Sequence, residues 1–82
     1  MGRLRGYRIR LVAKELFEYR EGDAHYFFGA GWGVKPPVLY VPRAEMWDQV
    51  MPEQFRGRRE QILERLLRFR ETRRHVLEDS DI

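Results

Sequence analysis

The chain predicts a small α+β fold, because apolar and polar residues alternate from Tyr7 to Trp32 and apolar residues then recur at helical spacing between Pro52 and Leu77. In the second pattern Phe55, Ile62, Leu63, Leu66, Leu67 and Phe69 share one arc of a helix. Arg58, Gln61, Arg65, Arg68 and Thr72 line the far side, with Glu60, Glu64 and Glu71 between. Burying six such side chains contributes roughly 9 to 18 kcal/mol at about 1.5 to 3 each. Ordering the backbone costs about 1 to 2 kcal/mol per residue, so this stripe needs a surface to lie on. The expected architecture is an antiparallel meander of three strands, or four if the first splits at its bend. A short helix follows, and a long C-terminal amphipathic helix packs across one sheet face. One domain is expected over residues 1–82, with residues 1–5 and 79–82 frayed.

The elements follow in order. Tyr7, Ile9, Leu11 and Ala13 point one way and Arg8, Arg10, Val12 and Lys14 the other, which makes a half-buried strand with a basic outer side. Continued alternation would place Glu15 on the apolar side, so a bulge or bend is expected near Lys14 and Glu15 before Leu16 to Arg20 resume. Arg20 to Asp23 read as a hairpin turn, with Gly22 free to take a positive φ. Ala24 to Trp32 supply the return strand, and Pro36 and Pro37 stop its pairing because they donate no ladder hydrogen bonds. Val38 to Val41 form a short third strand. Ala44, Met46, Trp47, Val50 and Met51 mark a short helix opened near Pro42 and ended by Pro52. The long helix opens at Pro52 or, given the weak propensity of Gly57, only after that glycine. Beyond Arg74 the chain either stays helical, which keeps Leu77 on the stripe, or forms an edge strand from Arg74 to Glu78; helix is the expectation.

A hydrophobic fraction of 43% with 13% aromatic residues provides enough apolar material for a globular core. The core of so short a chain is small, and oligomerisation is one way to extend it. With no cysteine there is no disulfide framework, thiolate nucleophile or cysteine-ligated zinc, in keeping with a reducing, bacterial-type cytoplasm. No apolar run approaches a membrane span, so no membrane partner is expected. The net charge of +3 is uneven: the segments 1–21, 22–55, 56–74 and 75–82 carry +3, −2, +5 and −3. Fourteen of the sixteen basic residues are Arg, which forks onto carboxylate or phosphate as Lys cannot.

Chemistry-bearing constellations are scarce. Gly29, Gly31 and Gly33 follow a GxGxG spacing that leads to two prolines instead of a helix, and read as loop or bulge glycines. Trp32 among them is a candidate contact residue at the tip of a binding loop. Ser80 lies in the acidic tail and Thr72 on the polar helix face, neither placed as an activated nucleophile, and His25 and His75 stand at no metal-ligand spacing. Glu15 is a general-acid candidate only if buried. No catalytic residue, cofactor or metal is expected. Arg58, Arg65 and Arg68 form a helical ridge that Arg8, Arg10 and Lys14 would extend if the outer sheet face lay near it. Arg56, Arg59, Arg70 and Arg73 flank the hydrophobic stripe, where their stems pack and their heads reach out. The expected function is a non-enzymatic interaction module that binds a protein partner or associates with itself. The alternative is nucleic-acid binding through Arg8, Arg10, Arg58, Arg65 and Arg68 with nearby aromatics.

Overall fold

Residues 6–33 and 35–80 are described in a computed structural model of the chain. The frayed lead-in expected over residues 1–5 lies outside them, as do residues 81 and 82 of the acidic tail. Alternation becomes strand as expected, in β1 (Arg8–Ala13), β2 (Leu16–Glu21), β3 (Ala24–Gly31) and β4 (Val38–Val41). Each of these runs antiparallel to the next. The register slips between Leu11 and Ala13, and a tight turn at Lys14 and Glu15 splits the first strand completely where a bend was expected. Gly22, at φ 57°, turns β2 into β3.

The long C-terminal helix is not formed. Its place is taken by a 3-10 turn (Glu53–Phe55), a ten-residue helix α2 (Arg59–Arg68) and a fifth strand β5 (Val76–Asp79), after a short helix α1 (Ala44–Val50). The sheet is therefore mixed, with the order β1-β2-β3-β4-β5 and β5 parallel to β4. Local chemistry accounts for both ends of α2. Gly57 sits at φ 73°, outside the helical region, and its N–H donates to Asp48 Oδ1 at 2.8 Å. At the other end Phe69 is extended at φ −66°, ψ 139°, and the buried Thr72 hydroxyl donates to the Leu66 and Phe69 carbonyls that would otherwise continue the ladder. The free edge of β4 then captures the chain. Val76 N–H donates to Pro37 O at 2.9 Å, Ser80 N–H donates to Val41 O at 2.8 Å, and the strand between them pairs from Val38↔Val76 to Val41↔Asp79.

Both helices lie over one sheet face. Phe17, Tyr19, Phe28, Ala30, Leu39 and Val41 point into the core from the strands and meet Trp47, Met51, Phe55, Ile62, Leu63 and Leu66. Trp47 is the central plate. Its ring stacks on Phe28 with centroids 6.2 Å apart, and its indole N–H donates to Phe55 O at 2.9 Å.

Candidate functional site

Alternation along β1 and the direction of α2 place the predicted cations on opposite layers. Arg8 and Arg10 project from the uncovered face, whereas Arg58 and Arg65 lie on the helical side, so the two sets do not merge into one surface. Arg58 forks onto Glu21, with Nη1 to Oε1 at 3.0 Å and Nη2 to Oε2 at 2.7 Å. Arg65 donates to Glu21 Oε2 at 3.1 Å and to Tyr19 Oη at 2.8 Å, and its guanidinium lies 4.4 Å from the Tyr7 ring centroid. Tyr19 in turn donates to Glu21 at 2.5 Å. Burial, reinforced by Glu21, pushes the Tyr19 phenol up to about 12. Burial alone would raise the Glu21 carboxyl, but Arg58, the Tyr19 hydroxyl and Arg65 together hold it below its ordinary value. These guanidinium groups tie α2 to β2. Arg68 points outward and pairs with Glu64 one turn earlier at 3.0 Å.

Among the described residues nothing covers the face away from the helices. Arg10, Glu18 and Phe27 form one cross-strand row, and Arg8, Arg20 and His25 form the next. Glu18 is only 2% exposed. Arg10 Nε and Nη2 donate to its Oε1 at 3.2 and 2.8 Å, while Arg20 Nη2 and His25 Nδ1 donate to Oε2 at 2.9 and 2.8 Å. His25, then Arg10 and Arg20, hold this carboxyl down at about 2 against the opposing effect of burial. Phe27, 44% exposed, stands in the cluster's own row, and Tyr40 at 37% and Val76 at 46% are exposed farther along the same face. Of the two strand glycines, Gly31 is the one its neighbours crowd. A Cβ on Gly31 would lie 3.2 Å from Tyr40 Oη and 3.0 Å from Val38 Cγ2, and one on Gly29 would touch the same ring at 4.0 Å.

Trp32 does not stand free at a loop tip. Its indole N–H donates to Lys14 O at 2.8 Å, and its ring meets His75 perpendicularly at 4.6 Å and Phe17 at 6.2 Å. Glu15 is exposed at its turn, with no burial to make it an acid. Among the described residues no group of three metal-ligating side chains converges. The sequence reading missed Glu18, Arg20, His25, Phe27 and Tyr40 as one surface, because only strand register brings them together. The one visible signal was Glu18 between Arg10 and Arg20 on the polar side of the alternation. Among the described residues, no helix is long and apolar enough to cross a membrane. No protein-family model, curated protein or solved structure matches this chain.

Proposed function

We propose that this chain is a non-catalytic cytoplasmic interaction module whose uncovered sheet face receives a protein partner carrying an apolar contact edged with carboxylates. The observation that carries this reading is a fully formed sheet face with no layer over it among the described residues, displaying Phe27 beside Arg8, Arg10 and Arg20, with Tyr40 and Val76 exposed farther along the same face. Glu18 pins Arg10 and Arg20 while leaving them 55% and 40% exposed, so less side-chain freedom is lost when they meet an anion.

The test is capture from a lysate of the source cells, combined with sedimentation. The expected result is a retained protein that Phe27→Asp and Arg8→Glu release and that Gln61→Ala, on the helical layer, still holds. Retention indifferent to Phe27→Asp overturns the reading, and a homodimer dissociated by that change replaces it with self-association. One observation favours nucleic acid as a second reading: the exposed Phe27 ring stands edge-on to His25 at 5.0 Å with arginines around it, an arrangement on which a base can stack. A labelled single-stranded oligonucleotide would then bind with an affinity that falls steeply between about 50 and 200 mM salt. Absence of binding at the lower salt removes this reading.

A further inference from the structure

At the end of the sheet, the connection after β3 and the approach to β5 enclose a cleft of about 270 Å³ lined by Trp32, Pro37, Arg70, Glu71, Arg73, Arg74 and His75. We propose that this cleft is a phosphate site, in which Arg70, Arg73 and Arg74 hold the phosphoryl group of a small phosphomonoester and the His75 imidazole, beneath Trp32, bonds one of its oxygens.

Two independent features point to a ligand. The first is charge left unanswered. Arg10, Arg20, Arg43, Arg58, Arg59, Arg65 and Arg68 each reach a carboxylate within 4.0 Å. Arg8 and Arg56, far apart in the chain, reach none among the described residues, and neither do Arg70, Arg73 and Arg74, which stand together although Glu71 lines the same cleft. Three exposed guanidinium groups within five residues make a concentrated, fork-shaped set of donors for a tetrahedral dianion. The second is a buried polar ring. His75 is 6% exposed, and neither Nδ1 nor Nε2 has a hydrogen-bond partner among the described residues. Buried polar atoms are rarely left in that state. Burial lowers the His75 pKa, so at neutral pH the ring offers one N–H donor and one bare nitrogen. A phosphoryl oxygen is the acceptor that this N–H lacks.

Trp32 supplies the cover. Its ring stands perpendicular to His75, anchored by the single hydrogen bond to Lys14 O. The indole is 38% exposed and held by that one polar contact, so breaking it frees the ring to move off the imidazole. The volume suits a phosphoryl group with a small organic body. This cleft borders Phe17 of the covered face, so a substitution at Phe27 leaves it unchanged.

The proposal is tested by following the His75 ring and Trp32 indole resonances by NMR. The probes are inorganic phosphate and O-phosphoserine, against sodium acetate and sodium chloride at matched ionic strength. Saturable shifts of both side chains with the two phosphates and not with acetate or chloride are expected. The triple change R70Q/R73Q/R74Q should weaken binding at least about tenfold. These arginines are exposed, and a circular dichroism spectrum matching wild type verifies the fold of the variant. His75→Phe, which preserves the aromatic packing on Phe17, should weaken binding as well. Tighter binding of O-phosphoserine than of inorganic phosphate identifies an ester as the ligand; equal affinity identifies the free anion. Shifts that fail to saturate, that acetate reproduces, or that survive in the triple variant overturn the site.

Discussion

Glu18 and His75 show two fates of a polar side chain taken out of water. Glu18 is enclosed by the groups that bond it, Arg20 on its own strand and Arg10 and His25 on the two flanking strands, and its charge is the reason the cluster holds together. Its carboxyl titrates at about 2 when folded against 4.5 when unfolded, so its contribution is complete above pH 4.5 and is lost as the pH falls from 4.5 toward 2. Glu18→Gln should therefore cost about 1 to 2 kcal/mol at pH 7, the cost discounted for half-exposed partners. It should also flatten the decline of stability across that acid window, measured by urea unfolding at a series of pH values. An unchanged acid limb would show that the carboxylate is not held by its neighbours. His75 has burial without bonds, and for that reason it marks a place where something else belongs.

At the level of elements, the molecule is decided by where α2 stops. Its apolar positions were legible: Ile62, Leu63 and Leu66 are buried as their spacing requires. Its length was not, because a 100° repeat cannot register a threonine hydroxyl turning back onto the Leu66 and Phe69 carbonyls. Nor could it register the pull of an open β4 edge on Val76 to Asp79, a four-residue strand with no alternation of its own. The candidate sites divide in the same way. Arg58 and Arg65 were visible as one helical face, but their carboxylate, Glu21, lies 37 and 44 residues away in sequence, and they serve cohesion between layers. Trp32 stood out by type, whereas its partner His75 could be found only in three dimensions. The helix boundary offers a direct test. Gly57 at φ 73° has open space around its missing Cβ, so Gly57→Ala adds no clash and isolates backbone strain. The expected loss is about 1 to 2 kcal/mol by chemical denaturation. A stabilised Gly57→Ala variant would mean that the helix runs through residue 57 in solution.

As a whole the molecule is two layers with one core between them, and nearly every buried hydrophobic side chain among the described residues belongs to the same cluster. Trp47→Ala should cost about 3 to 5 kcal/mol, comparable to the entire stability expected of so small a domain. Loss of the cooperative thermal transition in circular dichroism is the expected readout. A sharp transition near the wild-type midpoint would contradict a single shared core. The two-layer plan also separates tasks: carboxylates and arginines between the layers lock α2 to β2, while the bare side remains available for contact. The parallel pairing of β5 with β4 has a further result during biosynthesis. Residues 42–75 must be made and placed before that pairing can form, so an emerging chain carries β4 with an unsatisfied rim. In that interval the nascent protein is at its most adhesive, and timely arrival of its last strand guards it against joining its neighbours rim to rim.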